Sequence, residues 1–595
     1  MIQGRLPDTV QLLKDNAASL LAALTSLVLA AIVTWPVVLH PTSRVVGHPG
    51  NDSWNHIWGY WWVGAELSAG RWPIHTDLLS YPRGGTLYFI DTVQAVASWP
   101  LQWLGGPALA FNTVIVLQLA LAGFAAWLLA RRLTGDALAS GAALVVYGAS
   151  PHLLGQAYNG ISETVCAGWF PLTLLCVLRL LERASMGRAI TLALCASACV
   201  LTSWYFGLFA ALGSLLIIGW QTTRRSWSIQ WGRTFAALVG AAAGTLALIL
   251  PVFGSFSSSL DAEDALVTRD PAFVEASLIN HNITDILAFF RPSRIASPDL
   301  NTLYGEELII VIYLGWVGLL VAGYALWATR RRREFASWML LGGVFFLFSL
   351  GPYLNVGGEY VELFGRRVPL PFLPLYKALP VFDRISHPFR FVMGVQLALA
   401  MLAAHGLRHL LRRRPLPAQI AIAAGLSVLA LVEIATVTPA RLPVPTADST
   451  VPAFYSDLAA DPVPGAVLDL PMTVPNLERA VYVWYQSVHN RPVPWGLNEP
   501  MPRLLLENRL TVTLIRLEAT RSHVLAPRLP ELDMVISARN LARQGYRYIV
   551  VHESLYPAFK VAQVETLLTG AIGEPERADG RLIYTLSDPA VVSAR

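Results

Sequence analysis

The chain has 595 residues, of which 54% are hydrophobic and only 14% charged. Soluble domains carry about 25% charged residues, so the composition excludes an ordinary soluble enzyme and implies an all-α polytopic membrane protein. The net charge of +5 comes from arginines gathered in short loops, which is a mark of membrane topology and not of nucleic-acid binding.

Stretches of about 20 apolar residues can cross the hydrocarbon core. In chain order they fall near 17–39, 108–130, 137–151, 162–181, 189–203, 204–220, 234–254, 307–329, 335–351, 389–411 and 416–438. That makes about eleven predicted spans. The first is too long for the apolar core of a cleaved signal and is read as a span. Arginine clusters sit at Arg131/Arg132, Arg179/Arg183/Arg188, Arg224/Arg225/Arg233, Arg330 to Arg333 and Arg408/Arg412/Arg413/Arg414. If all are cytoplasmic, the spans alternate without conflict. Arg188 and Arg224 then share a side, so 189–220 must go out and return, turning near Ser203. The expectation is a cytoplasmic N-terminus and an external C-terminus, in a bacterial inner membrane.

Three external loops follow, 40–107, 255–306 and 352–388, within a membrane domain spanning 1–439. The Pro-rich stretch from Pro439 to Phe454 reads as a linker. Beyond it, GAVLDLPM and YRYIVVHE read as strands and MVISARNLARQG as a helix. Residues 440–595 are therefore expected to form a soluble, extracytoplasmic α/β domain. Cys166, Cys176, Cys195 and Cys199 lie in apolar segments and read as core thiols.

In the first external loop, GHPGNDSWNHIWGYWW places Trp54, Trp58, Trp61 and Trp62 on one face of a helix. Indoles favour the membrane–water interface, so this helix is expected to lie on the outer leaflet. The apolar stretch 87–104, interrupted by Asp91, Gln94 and Pro100, reads as a second interfacial helix. Asp52, just before the tryptophans, can be a helix cap or a carboxylate held at headgroup depth for use.

At this point the chain resembles the GT-C superfamily of membrane glycosyltransferases. The resemblance rests on G-N-D-S-W-N-H at 50–56, its flanking helices and the out-and-back pair at 189–220. Further stretches are similar to a bacterial branch of that superfamily: Y-P-R-G-G-T-L (81–87), Y-G-A-S-P-H (147–152), I-T-D-I-L-A-F-F-R-P-S (283–293), F-D-R-I-S-H-P-F-R-F (382–391) and Y-Q-S-V-H-N-R-P (485–492). It implies a polyprenyl-phosphate-sugar donor, an acceptor that is a glycan, lipid or protein, an inverting reaction, and Asp52 as general base. The paired acidic motif of some members is absent, since Ser53 follows Asp52.

Beside the resemblance, the residues nominate a site. Glu163 is a second candidate catalytic acid. Asn55, His56, His152, Gln156 and Asn159 are candidate substrate contacts, polar groups at the ends of apolar spans. Arg384, His387 and Arg390 are candidate phosphate ligands, because guanidinium forks match phosphate oxygens; Arg291 and Arg294 are the alternative pair. Glu306 and Glu307 fit a helix start as well as a site. The sequence leaves a divalent cation open and names no certain cofactor. Two other functions stay open: a transporter or flippase of lipid-linked sugars, and a non-catalytic scaffold in envelope glycan assembly.

Overall fold

The computed structural model describes residues 8–223, 231–267, 271–292, 308–328, 335–380, 382–474, 476–497, 501–520 and 531–587. Arg224, Arg225, Arg294, Glu306, Glu307 and Arg330 to Arg333 lie outside them. The membrane part is built from α1 (Asp8–Val33), α2 (Ser53–Ser68), α3 (Thr92–Thr134), α4 (Gly141–Gly148), α5 (Pro151–Asn159), α6 (Ser162–Val165), α7 (Trp169–Glu182), α8 (Met186–Thr202), α9 (Trp204–Thr223), α10 (Trp231–Leu260), α11 (Trp316–Ala328), α12 (Ala336–Ser349), α13 (Val392–Leu411) and α14 (Leu416–Val437). Seven helical segments among the described residues are long and apolar enough to cross a membrane, and α8, α11 and α12 are shorter apolar helices. Side chains such as Leu21, Phe235, Leu246, Trp327 and Leu429 are exposed on these helices. An apolar surface of this extent is stable only against hydrocarbon.

Ten of the eleven apolar stretches thus contain an apolar helix of at least ten residues. The stretch 137–151 holds only the eight residues of α4, about 12 Å of helix, well short of a ~30 Å hydrocarbon core. Asp136 fixes its start, accepting the Ala139 N–H at 3.0 Å, and Pro151 opens a new helix. The out-and-back pair forms as patterned, with the single extended residue Ser203 between α8 and α9. The stretch 87–104 is not a separate helix. Its residues from Thr92 onward form the first arm of α3, which bends at Gly105–Gly106. Gly106 has φ +76°, a conformation side-chain-bearing residues resist.

The predicted helix from 307 begins late. Residues 308–315 are buried but non-helical, and α11 starts at Trp316. Buried backbone polar groups need partners. At the start of α11, Glu433 of α14 is the partner, accepting the Trp316 N–H at 2.5 Å and the Val317 N–H at 3.0 Å. A carboxylate inside an apolar helix is thereby accounted for as the cap of another helix. The four cysteines are free thiols; the sulfurs of Cys176 and Cys195 lie 3.7 Å apart.

After α14 the described residues include five strands, one paired with a strand of the first loop and four forming a sheet. β1 (Arg44–Val46) pairs antiparallel with β2 (Thr446–Asp448). β3 (Ala466–Leu470) and β4 (Tyr546–His552) are parallel neighbours; β6 (Arg581–Thr585) pairs antiparallel with β4, and β5 (Glu576–Ala578) with β6. Around this sheet pack α15 (Asn476–His489), α16 (Arg509–Ala519), α17 (Glu531–Arg543) and α18 (Ala558–Ile572). Both predicted strands and the predicted helix are present.

Two expectations about this region are corrected. The stretch expected as a linker is packed against its surroundings: Ala440, Val444 and Ala447 are buried and β2 is paired. The tryptophan face of α2 does not face lipid. Trp54, Trp58 and Trp62 are buried by protein. Trp54 stacks on Trp484 of α15 at 6.4 Å, and Trp58 Nε1 donates to Gln486 Oε1 at 2.7 Å. Periodicity marks a face that must leave water; it does not say whether lipid or another helix covers it. Loop residues 78–81 add further bonds, with Ser80 and Tyr81 N–H donating to the carbonyls of Trp495 and Val493.

Candidate active site

The loop before α2 is sewn to the end of α5. The His48 and Asp52 N–H groups donate to the Tyr158 and Asn159 carbonyls at 2.8 and 3.1 Å. Asn51 Nδ2 donates to Asn159 Oδ1 at 3.0 Å. The approach is close because Gly47 and Gly160 face Ser53: a Cβ at either would sit 2.0 Å from its hydroxyl oxygen.

Asp52 stands at the N-cap position of α2, but its side chain makes no cap hydrogen bond. Its Oδ1 instead accepts from Asn55 Nδ2 at 3.0 Å, and the residue is half-buried. Helix capping therefore does not consume this carboxylate. One turn on, His56 is buried. Its Nδ1 lies 2.6 Å from Asp91 Oδ2 and its Nε2 3.7 Å from Glu163 Oε2. Asp91, fully buried just before α3, also accepts from the Ser162 hydroxyl and, at 3.2 Å, from Gln94 Nε2. Glu163 reaches Arg390 at 3.6 Å through its other oxygen. The Arg390 guanidinium lies over the Tyr205 ring, 4.6 Å from its centre.

Burial opposes charge on His56, but Asp91, then Glu163 and Asp52, outweigh it and raise its pKa to about 9. The imidazolium is therefore the form at neutral pH. The group holds three carboxylates against two cations, a surplus of negative charge in a buried place. Two of its polar atoms, Glu163 Oε2 and Arg390 Nε, have no hydrogen-bond partner among the described residues. Such atoms are costly unless a ligand or ion meets them. One ligand atom each of His56, Asp91 and Glu163 lie within 4.8 Å of one another, a spacing that can hold a metal ion.

The structure thus brings together Asp52, Asn55, His56, Glu163 and Arg390 from the sequence-derived set. It uses others differently. His152 Nδ1 lies 2.9 Å from the Val311 carbonyl, and Asn159 clasps Ile309, donating to its carbonyl at 2.6 Å and accepting its N–H at 3.0 Å. Gln156 accepts from Thr164 at 2.9 Å. These three are buried and hold the non-helical segment 308–315 and α6, which carries Glu163. His387 is half-buried, with Nδ1 2.7 Å from Ser386 Oγ and its ring against Phe389. Arg384 and Arg291 are exposed on the surface, and Arg384 is not drawn into the cluster. Sequence reasoning missed Asp91, Ser162, Gln94 and Tyr205 as members. Asp91 had a signal: a carboxylate inside an apolar run, with Gln94 one turn on.

Residues 22–426 match a family model described as "Domain of unknown function (DUF6311)". No curated protein matches the chain. Among solved structures, the arabinofuranosyltransferase AftD from Mycobacteria is 16% identical with a TM-score of 0.50, the match covering 96% of this chain and 40% of that one. The chain thus spans about two fifths of AftD. The archaeal oligosaccharyltransferase AglB from Archaeoglobus fulgidus, solved with an inhibitory peptide and a dolichol-phosphate, is 12% identical with a TM-score of 0.51, covering 94% of this chain and 71% of that one. Both neighbours are GT-C glycosyltransferases, and the fold is the GT-C fold.

Proposed function

The chain belongs to the DUF6311 family, and we propose that it is a membrane glycosyltransferase moving a sugar from a polyprenyl-phosphate donor to an extracytoplasmic acceptor. The observation that carries this reading is the convergence of Asp52, the His56–Asp91 pair and the Glu163–Arg390 pair in a GT-C fold. The dolichol-phosphate in the AglB structure supports a lipid-phosphate donor. The protein sits in a bacterial inner membrane, with its N-terminus cytoplasmic and its C-terminal α/β domain outside.

In the reaction, Asp52 accepts the proton of the acceptor hydroxyl. The acceptor oxygen bonds to the anomeric carbon from the face opposite the phosphate. The carbon–oxygen bond to the phosphate breaks, and the polyprenyl phosphate leaves with the electron pair, so the anomeric centre inverts. Cationic His56 and Arg390 face the negative charge that develops on the leaving phosphate, where fixed charges in a dry site act strongly. Glu163 holds both cations in register and Asp91 orients the imidazole. A divalent cation suits the same trio of His56, Asp91 and Glu163, whose buried Glu163 Oε2 has no hydrogen-bond partner among the described residues. When bound it would supply further positive charge to the phosphate; it would compete with the proton for His56.

Purified full chain is incubated with a panel of polyprenyl-phosphate pentoses and hexoses, and sugar transfer or hydrolysis is followed. Transfer is expected with at least one donor, lost in Asp52→Asn while the thermal unfolding curve stays unchanged. Full activity in Asp52→Asn would remove it as the base. Inactivity of the wild type towards the whole panel would overturn the transferase reading.

A further inference from the structure

The C-terminal domain contains a second polar pocket, far in sequence from the cluster above. Strands β3 and β4 run parallel, and the chain leaves both at the same edge of the sheet. From β3 it continues into Pro471–Val474, and from β4 into Leu555–Lys560 and the start of α18. Ligands of open α/β sheets bind at this edge, outside the carboxyl ends of parallel strands. A cavity of about 500 Å³ lies there, bounded by these two segments and by Glu518 and Thr520 at the C-terminal end of α16. Small-molecule sites span about 300–1,000 Å³, so the space suits a monosaccharide.

Its lining has a definite chemistry. Lys560 is buried, 4% exposed. Its ammonium carries three N–H donors. Among the described residues it makes one hydrogen bond, to the Leu517 carbonyl, and no ion pair. Lys560 also lies in the first turn of the 15-residue helix α18, whose N-terminal end favours negative charge. Opposite stands Glu518, bonded by the Met472 and Thr473 N–H groups at 2.8 and 2.9 Å and by the Tyr556 hydroxyl at 2.5 Å. Burial pushes the Glu518 carboxyl up and the hydrogen bonds it accepts pull it down; those bonds already engage its oxygens. The Thr473 and Thr520 hydroxyls and the Phe559 ring complete the wall. A buried cation with spare donors calls for an anion; hydroxyls and an aromatic face suit a sugar ring.

We propose that this pocket binds an anionic monosaccharide, its carboxylate or phosphate on Lys560 and its ring against Phe559. The inference does not depend on the transfer reaction, and binding alone tests it.

The experiment uses the purified full chain and isothermal titration with three probes: glucuronate, glucose 6-phosphate and glucose. At least one anionic probe is expected to bind about tenfold or more tighter than glucose, the usual gain from a charge-assisted bond. Which anion wins separates a uronate from a sugar phosphate. Lys560→Met should remove that preference, and Phe559→Ala should weaken the preferred probe severalfold. Asp52→Asn should leave it unchanged, which keeps this result separate from the fate of the transferase reading. The proposal is overturned if no anionic probe binds the wild type, if glucose binds as tightly, or if Lys560→Met, folded by its thermal transition, keeps the preference. Should Lys560→Met fail to fold, the wild-type preference and Phe559→Ala decide.

Discussion

Two buried histidine–carboxylate pairs in this molecule look alike and are built for opposite ends. In the membrane part, His56 sits 2.6 Å from Asp91, with Glu163 and Asp52 near and Arg390 beyond. Three carboxylates face two cations, polar atoms stay unmet, and the imidazole is held charged. In the C-terminal domain, His552 Nε2 lies 2.9 Å from Asp469 Oδ1, which also accepts the Tyr455 hydroxyl at 2.6 Å. Arg581 Nε donates to His552 Nδ1 at 3.2 Å, so the ring is neutral and both nitrogens are used. Burial, aided by the Arg581 charge, outweighs Asp469 and lowers the His552 pKa. Tyr482 and Tyr485 stack on the ring at 4.9 and 5.7 Å. The second pair is balanced in charge and sealed by aromatic rings. Unmet atoms do not separate the two, since Asp469 Oδ2 is also without a hydrogen-bond partner among the described residues; the difference lies in the charge around the dyad, where surplus points to a site and balance to architecture.

The largest expected effect would separate the two regions by readout. Asp52→Asn should lower transfer by roughly 10²–10⁴-fold, the usual worth of a general base, without moving the unfolding temperature. Asp469→Asn should do the reverse. Leaving buried Tyr455 and His552 without their carboxylate costs about 1.5–3 kcal/mol, seen as a lower unfolding temperature, while turnover per folded molecule holds. A loss of turnover in folded Asp469→Asn would break the comparison.

pH should sharpen it. The folded pKa of His56, about 9, lies above the ordinary histidine value of 6.5. Its stabilising contribution is therefore complete below pH 6.5 and is lost as pH rises through about 9, a swing of about 3 kcal/mol at 1.36 kcal/mol per unit. For His552 the folded pKa is depressed, so the folded state favours the neutral ring. Stability is then full above pH 6.5 and falls as the unfolded chain takes up protons below it. Unfolding temperature against pH should thus drop on the alkaline side in the wild type and drop less in His56→Gln. The acid-side drop should shrink in His552→Gln. Chelation and re-addition of a divalent cation at pH 8 provides a second readout: a bound ion displaces the His56 proton, so the alkaline drop should flatten when the ion is present.

A smaller effect probes the joint between the regions. Gln486→Ala leaves the buried Trp58 N–H without its acceptor, at a cost of about 1–3 kcal/mol. Because Trp58 shares α2 with Asp52 and His56, transfer should fall severalfold as well, and Gln486→Glu, which keeps an acceptor, should recover part of both.

Much of this was legible in the sequence because membrane physics writes in long strokes. Apolar length found ten helices, and the arginines found the hairpin that turns at Ser203. Two strands and a helix of the C-terminal domain followed from alternation and period. What failed were inferences about partners. The tryptophans of α2 met the periodicity of a buried face, but nothing in their spacing could choose between lipid and α15, more than 400 residues away in the chain. His152, Gln156 and Asn159 carried the polarity of a site, yet they serve the backbone of a non-helical segment that apolar length had rendered as helix. Asp91 was visible only as a flaw in an apolar run, because its partners come from α2 and α6.

The smallest expected effect concerns the arginines of FDRISHPFRF, where the sequence nominated Arg384 and Arg390 alike as phosphate ligands. The structure parts them. Arg390 lies in the helical turn Pro388–Phe391 that leads into α13, which fixes its guanidinium between Glu163 and Tyr205. Arg384 lies on the exposed surface six residues earlier. A cation in water is screened and contributes little; the same charge held in a desolvated cluster acts at nearly full strength on a developing negative charge. Arg384→Ala should therefore leave transfer within about twofold and stability within about 0.5 kcal/mol. Arg390→Ala should cost transfer severely and strand Glu163. If instead Arg384→Ala lowers transfer tenfold at low salt and the loss fades as salt is raised, Arg384 steers the anionic donor toward the site from a distance, and exposure alone is a poor guide to which arginine meets the phosphate.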